Sequence, residues 1–302
     1  MKRRKFISTT AAYGTGIILG SSLFANSSVH DIVKLTIIHT NDVHSRVEPF
    51  PDDGSRNANR GGAARRSTLI NNIRQTEKNV LLFDSGDLIQ GTPYFNFFGG
   101  EVEIKLMNQM RYDACTIGNH DFDNGLDGLV RMIDRANFPF LISNYEWNDD
   151  IIQSKTKTHQ IFDIEGIKIG VFGLGVEMEG LVPDKLYQNT VYTNPIEQAN
   201  LTATQLRDEY MCNYVVCLSH LGYKYKNDKV SDLVLAAESK NIDLILGGHT
   251  HTFMKKPEVL INKENQAVIV NQVGFAGLLL GRLDIIFEKN KHKCVSCENI
   301  QL

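Results

Sequence analysis

Hydrophobic and polar residues alternate along the chain in blocks that predict strands followed by helices. Apolar, β-branched runs predict strands at 33–40, 80–83, 114–117, 138–143, 214–219 and 242–246, and later at 267–273 and 281–287. Helical spacing of apolar residues predicts helices at 63–76, 101–110, 123–136, 194–208 and 230–239. Residues 160–174 predict a hairpin that turns at Glu165-Gly166. This order predicts an α/β fold with much parallel pairing, and the hairpins indicate mixed sheets.

Composition limits the class of protein. The chain has 302 residues, of which 42% are hydrophobic and 22% charged, and its formal net charge is -3. These values are ordinary for a globular protein, so they exclude a disordered chain and give no sign of binding to a nucleic-acid polymer. Apolar runs stay below the roughly 18 residues that a transmembrane helix needs. No linker divides the sequence, and we predict one domain over residues 32–302.

The N-terminus has the layout of a targeting signal. Basic residues in Met1–Lys5 include the pair Arg3-Arg4, and a weakly apolar stretch with small residues follows up to Ala25. This pattern resembles a twin-arginine signal, so we expect residues 1–28 to direct export to the periplasm. Cleavage after Ala25 and retention of the segment as a membrane anchor both stay open. The alternative is a flexible basic tail on a cytosolic protein.

Five cysteines are too few for a disulfide-built scaffold. Cys115, Cys212 and Cys217 lie in or beside apolar segments, so we expect them to be buried packing residues. Cys294 and Cys297 form a Cys-x-x-Cys pair near the end of the chain. A zinc site would need a second such pair. The two cysteines therefore form a local disulfide or remain a free pair.

Polar clusters follow several predicted strands at the point where each strand ends. Five of the nine histidines lie in these clusters, and packing alone does not explain that concentration. Imidazole and carboxylate ligands suit Zn, Mn, Fe and Co. The candidate ligands are Asp42, His44, Asp87, Asn119, His220, His249 and His251. Because one ion uses three or four ligands, seven candidates predict two divalent ions with a carboxylate bridging them. Two ions about 3.5–4 Å apart suit in-line displacement at phosphorus.

The ordered motifs resemble those of the calcineurin-like metallophosphoesterases. They are Asp42-Val43-His44, Gly86-Asp87, Gly118-Asn119-His120-Asp121, His220 and Gly248-His249-Thr250-His251. The segments 39–44 and 119–123 further resemble the 5'-nucleotidase branch of that family. The resemblance covers the catalytic domain of that branch, which is its N-terminal part. It implies a four-layer α/β/β/α sandwich with two mixed sheets and a two-metal site between loops.

The resemblance also implies a role for each candidate. Asp42, His44 and His251 would hold the first ion, Asn119, His220 and His249 the second, and Asp87 would bridge both. His120 would be the catalytic histidine, and Asp123 would orient its ring. Asn119 and His120 would also contact the substrate. His251 stands where some members of the family have Gln, and imidazole is an equally good ligand.

The expected function is that of an exported dinuclear-metal phosphoesterase, which hydrolyses phosphate esters, and nucleotides in particular, through attack by metal-activated water. Typical 5'-nucleotidases hold the nucleotide with a C-terminal domain that the sequence does not contain, so a separate protein resembling that domain is an expected partner. Two alternatives stay open. One is a thiosulfohydrolase-like hydrolase of sulfur esters, and the other is a non-catalytic metal-binding subunit of a two-chain nucleotidase. Retention of both His120 and Asp123 speaks against the second, because metal binding alone needs neither residue.

Overall fold

Strands and helices alternate along the chain in the computed structural model, which describes residues 32–288 and 291–302. The predicted signal, residues 1–28, lies outside the described residues. The strands are β1 (Val33–Thr40), β2 (Val80–Asp84), β3 (Ala114–Cys115), β4 (Tyr145–Glu146), β5 (His159–Ile164), β6 (Ile167–Leu174), β7 (Val191–Tyr192), β8 (Tyr214–Ser219), β9 (Leu244–Gly247), β10 (Glu258–Ile261), β11 (Ala267–Asn271), β12 (Leu279–Glu288) and β13 (Lys291–Gln301).

The helices pack on the outer faces of the sheets. They are α1 (Ala63–Thr76), α2 (Pro93–Phe98), α3 (Glu101–Met110), α4 (Gly125–Arg135), α5 (Asp150–Lys155), α6 (Asp184–Tyr187), α7 (Pro195–Asp208) and α8 (Asp232–Glu238), with a 3-10 turn at His120–Phe122. Among the described residues, no helix combines the length and the apolar character that crossing a membrane would require.

Two mixed sheets form the centre of the fold. The first has the order β13-β12-β1-β2-β3, with β1, β2 and β3 parallel and β12 antiparallel to β1. The second has the order β10-β11-β9-β8-β6-β5, with a parallel centre and an antiparallel strand at each edge. Strands β4 and β7 pair separately.

The alternation of side chains along the central strands creates the layers. Leu35 and Ile37 of β1 point into the core between the two sheets, whereas Ile38 packs in the core that contains α1, α3 and α4. In β8, Val216 joins the core between the sheets and Val215 joins the core beneath α7 and α8. Each sheet is therefore covered by helices on its outer face. The predicted four-layer α/β/β/α architecture is confirmed.

Many predicted elements agree with the structure, including β1, α1, α3 and β8, whose bounds match residue for residue. The strand predicted at 138–143 is wrong. Its backbone hydrogen bonds are divided among Cys115, Lys157 and Gly173, so the segment crosses from one sheet to the other and does not pair along a single strand. Its apolar character reflects burial of Phe140 and Leu141 at that crossing.

The end of the chain also departs from the prediction. The strand predicted at 281–287 is followed by a further edge strand, β13, which pairs with β12 over its length. Its polar sequence gives no strand pattern. The helix predicted at 123–136 begins only at Gly125, since residues 120–122 form a separate 3-10 turn. Cys297 is disulfide-bonded, whereas Cys115, Cys212 and Cys217 are free and buried as predicted.

Candidate metal centre and active site

Loops from both sheets converge where the parallel strands end. The carboxyl ends of β1, β2 and β3 meet those of β8 and β9, which is where α/β folds place their sites. Two groups of ligand atoms form there, and within each group these atoms lie within 4.8 Å of one another. Group 1 consists of Asp42, His44 and His251, and group 2 consists of Asp87, His220 and His249.

Group 1 is held by hydrogen bonds that leave its ligand atoms facing one another. Nδ1 of His44 donates to the carbonyl of Ile89 (3.2 Å), so its Nε2 is left to face Nε2 of His251 at 3.0 Å. The same His251 nitrogen lies 3.3 Å from Oδ1 of Asp42. The Asp42 carboxylate in turn accepts hydrogen bonds from the backbone N–H of His249 (2.9 and 3.0 Å) and from the Asn41 side chain.

Group 2 is deeper in the protein. The wholly buried His220 donates from Nδ1 to the carbonyl of Ser85 (2.6 Å), and its Nε2 lies 3.2 Å from Oδ2 of Asp87. Despite this short distance, that nitrogen has no well-aligned hydrogen-bond partner among the described residues. Nδ1 of His249 lies 2.8 Å from Oδ1 of Asn119, which brings Asn119 to this group as well. All seven predicted ligands thus meet at one place.

Asp87 lies between the two groups. Its Oδ2 is 3.2 Å from His220 Nε2 and 3.7 Å from His44 Nε2, so one carboxylate oxygen faces a histidine of each group. Its Oδ1 accepts the backbone N–H of His120 at 2.8 Å. Burial alone lowers the pKa of His220, but the neighbouring Asp87 carboxylate raises it to about 10. The buried Asp87 carboxylate therefore strongly favours a positive charge next to it.

The backbone at the site adopts conformations that sequence patterns do not reveal. Five of the predicted ligands have left-handed backbone angles: Asp42 (φ 50°), His44 (φ 50°), Asp87 (φ 57°), His249 (φ 70°) and His251 (φ 52°). Such angles are uncommon for residues other than Gly and are concentrated at functional sites. A Cβ on Gly118 would lie 2.2 Å from Oδ1 of Asp87, which explains why glycine precedes Asn119.

His120 and Asp123 form a pair beside the two groups. Nδ1 of His120 donates to Oδ2 of Asp123 at 3.0 Å, and both side chains are partly exposed. This hydrogen bond raises the pKa of His120 above its usual value, although burial opposes the shift. The His120 ring also contacts the His44 ring, with centroids 5.3 Å apart. An imidazole with a fixed orientation and a partly exposed ring can exchange a proton with a molecule bound at the groups.

Two buried carboxylates support the site, and neither was among the predicted site residues. Asp121 accepts the backbone N–H groups of Asp87 (3.0 Å), Leu88 (2.9 Å) and Gly118 (2.8 Å), and so ties two of the site loops together. Asp84 accepts the N–H of Gly86 at 2.8 Å and the hydroxyl of Thr40. Asp121 stands in the motif Gly118-Asn119-His120-Asp121, and Asp84 is the acidic last residue of the buried strand β2, so each had a sequence signal but no predicted role.

Comparison with known proteins agrees with this geometry. Residues 35–253 match the family model described as calcineurin-like phosphoesterase. The chain belongs to this family. It is 33% identical to human 5'-nucleotidase over 284 residues, which cover 85% of this chain and 47% of the human protein. The predicted membership of the calcineurin-like phosphoesterases, with relatives among the 5'-nucleotidases, is confirmed.

Solved structures of other proteins share the fold. A 5'-nucleotidase precursor from Thermus thermophilus superposes with a TM-score of 0.80 at 28% identity, covering 89% of this chain and 55% of that one. A sulfate thiohydrolase from the same organism gives a TM-score of 0.71 at 16% identity over 89% of this chain and 56% of its own. The second likeness shows the fold alone. The chain spans about half the length of many of the relatives that it matches.

Proposed function

We propose that this chain is a dinuclear-metal phosphoester hydrolase that acts on nucleotides. One observation carries the proposal: two adjacent ligand groups meet at Asp87, with the His120–Asp123 pair beside them. A structural metal site needs closed coordination and no proton donor, whereas hydrolysis of an ester needs both charge neutralisation and a proton for the leaving oxygen.

The residues present fit two divalent ions. His44 and His220 each donate Nδ1–H to a backbone carbonyl, which is the arrangement that directs Nε2 of a metal-binding histidine at the metal. Nε2 of the buried His220 has no well-aligned hydrogen-bond partner among the described residues, and a metal ion would give this nitrogen a partner. When bound, two such ions neutralise charge on a phosphoryl group and lower the pKa of water. The mixed nitrogen and oxygen donors suit Zn, Mn, Fe or Co.

The chain's own residues would perform the remaining tasks. In this proposal Asp42, His44 and His251 would hold one ion, Asn119, His220 and His249 would hold the other, and Asp87 would be shared between them. His120 protonates the leaving oxygen from Nε2, while Asp123 holds Nδ1 and fixes the orientation of the ring. The side chains of Asn119 and His120 also bind the phosphoryl group.

The nucleotide substrate is proposed from relatives such as human 5'-nucleotidase, of which this chain spans 47%. Part of the nucleotide contact would come from a separate protein that resembles the part of such relatives that this chain does not match. The thiosulfohydrolase alternative gains no support, because the similarity to the sulfate thiohydrolase is confined to the fold. A purely metal-binding subunit would have no use for the His120–Asp123 pair.

We further propose that the protein is exported through the twin-arginine pathway, because Arg3 and Arg4 head a signal-like segment. The disulfide at Cys297 supports an oxidising compartment. A variant with both Arg3→Lys and Arg4→Lys should stay in the cytoplasm, as measured by cell fractionation. Export of that double variant, or export in cells with a disabled twin-arginine system, would contradict the proposal.

Metal analysis combined with a substrate panel tests the proposed activity. The purified chain should contain two divalent ions per molecule and hydrolyse p-nitrophenyl phosphate and AMP. A chelator should abolish turnover, and adding back Zn, Mn, Fe or Co should restore it. A protein that binds two ions and hydrolyses no phosphoester in the panel would contradict the proposal.

A further inference from the structure

A cavity of about 570 Å³ is lined by Thr252, the residue that follows the group 1 histidine His251, and by its neighbours along the chain. It lies between the loop after β9 and the loop after β8, and its volume falls within the range of about 300–1,000 Å³ that ligand sites occupy. We call it the Phe253 cavity. Its lining includes Tyr223, Phe253, Met254, Lys255, Lys256 and Glu258.

A row of aromatic rings connects the Phe253 cavity to the metal-ligand groups. The Phe275 ring stacks on the His251 ring, with centroids 5.0 Å apart and an interplanar angle of 13°. Phe253 meets Phe275 edge to face at 5.8 Å. Phe253 is 46% exposed, so part of its ring is open to contact a planar group of a bound molecule.

The lining selects for a ligand that is both aromatic and anionic. Phe253 and Met254 offer apolar and aromatic surface, and the exposed Lys255 and Lys256 offer two positive charges. The single acidic lining residue, Glu258, accepts a hydrogen bond from the Tyr223 hydroxyl. A nucleotide combines a planar base with a phosphate, and bases stack on aromatic side chains with little dependence on sequence.

The position of His120 decides which part of a substrate reaches the cavity. The His120 ring contacts His44 at 5.3 Å, His44 contacts His251 at 5.0 Å, and Phe275 and Phe253 follow. A chain of ring contacts therefore links His120 to Phe253, with three other rings between them. A leaving group must lie within reach of His120 to take its proton. A group over Phe253 is then the substituent that stays on phosphorus.

We propose that the Phe253 cavity binds the retained aromatic, anionic substituent of a phosphodiester, such as one nucleotide half of a dinucleotide. This proposal rests on the function proposed above, because it takes His120 as the proton donor. Water would supply the oxygen that joins phosphorus as the bond to the leaving oxygen breaks. His120 would give the leaving oxygen a proton, and the proton that the attacking water loses would restore the protonated histidine. The retained half would then depart as a phosphomonoester.

The kinetic test compares a diester with a monoester. In Phe253→Ala, the ratio of kcat/KM for bis(p-nitrophenyl) phosphate to kcat/KM for p-nitrophenyl phosphate should fall roughly tenfold, the loss expected for one stacking contact. Phe97→Ala is the matched control, because Phe97 of α2 is 80% exposed and does not line the cavity. Phe253→Leu keeps apolar bulk without the aromatic face and should show the same fall. An equal loss on both esters would overturn the diester assignment.

The binding test separates this proposal from the proposed activity. Binding of AMP to the full chain is measured by equilibrium dialysis, both with bound metal and after chelation. After chelation, the metal ions can no longer bind AMP, so the remaining binding comes from the protein's own residues. After chelation, Phe253→Ala and the double variant Lys255→Ala with Lys256→Ala should bind AMP about tenfold more weakly than wild type. Phe97→Ala should match wild type.

The outcomes of the two tests are distinct. Loss of AMP binding in Phe253→Ala supports the cavity as a site for aromatic anions, whether or not the chain hydrolyses phosphoesters. A chain that hydrolyses none of them would refute only the proposed activity. Equal AMP affinity in wild type and both cavity variants overturns the site. A salt-dependent loss in the double lysine variant, combined with a salt-independent loss in Phe253→Ala, supports the proposed division between charge and stacking.

Discussion

The two ligand groups differ in depth and in how the chain holds them. In group 2 the His220 side chain is fully buried and follows directly after the buried strand β8, whereas in group 1 the His251 side chain is 40% exposed and lies in a loop. All three group 1 residues have left-handed backbone angles, but His220 does not. Asp87 and His249 of group 2 share the left-handed conformation. Strand geometry therefore positions His220, the most deeply buried histidine of the two groups, whereas loops carry the other ligand candidates.

The difference in depth predicts a difference in how the two ions exchange. A ligand buried beneath packed loops can release an ion only when those loops move, while an exposed histidine can rotate away. We therefore expect the group 2 ion to stay bound under conditions that remove the group 1 ion. A substitution of the shared Asp87 should instead affect both ions alike, because its Oδ2 faces a histidine of each group.

The largest expected effect comes from Asp87→Ala. Removing the shared carboxylate takes the only negative ligand from group 2 and the bridging contact from group 1, so both ions should be lost together with turnover of p-nitrophenyl phosphate. Metal content measured by mass spectrometry checks this. Asn119→Ala serves as the control, since the Asn119 side chain hydrogen-bonds His249 of group 2 and its loss should reduce one site. Loss of one ion in each variant would contradict the bridging role.

His120→Ala separates chemistry from metal binding. His120 lies beside both groups without belonging to either, so the variant should retain two ions while kcat falls about 10²–10⁴-fold, the contribution typical of general acid catalysis. Asp123→Asn should give a smaller fall, because the ring loses its charged partner but stays in place. An unchanged kcat in His120→Ala would rule out the proposed proton transfer.

The comparison between the groups is tested by His220→Ala and His251→Ala. His251→Ala should lower the affinity of one ion and leave stability nearly unchanged. His220→Ala should also destabilise the fold by about 1–3 kcal/mol, because the buried Ser85 carbonyl loses its donor. Chelator titration and urea unfolding of the metal-free variants measure the two effects. Equal stability of both variants would show that the depth of group 2 has no structural consequence.

The sequence predicted which residues meet at the site better than it predicted their conformation. Positions such as Asp42 and His249 could be found because candidate metal ligands are limited to a few residue types and follow recognisable strands. Their left-handed backbone could not be found, since it depends on contacts such as the His249 N–H to the Asp42 carboxylate, across 207 residues of sequence. Strand β13 was missed for a similar reason: its pairing with β12, and not its own composition, makes it a strand.

Asp121→Asn gives the smallest expected effect and tests whether group 2 depends on its support. Asp121 accepts three backbone N–H groups, two of them from the loop that carries Asp87. The amide keeps the shape of the side chain but replaces one acceptor oxygen by a donor that faces N–H groups, so the Asp87 loop should shift slightly. Groups that support metal ligands typically contribute 10–100-fold in affinity or activity. We expect a loss in that range for the group 2 ion and a smaller one for the group 1 ion, because the Asp121 carboxylate hydrogen-bonds the loops that carry Asp87 and Asn119, which belong to the group 2 site. Asp127→Asn, on the first turn of α4, is a matched control with the same change of charge. Equal losses at both sites would show that Asp121 supports the whole cluster through Asp87 and that the two groups are not independent.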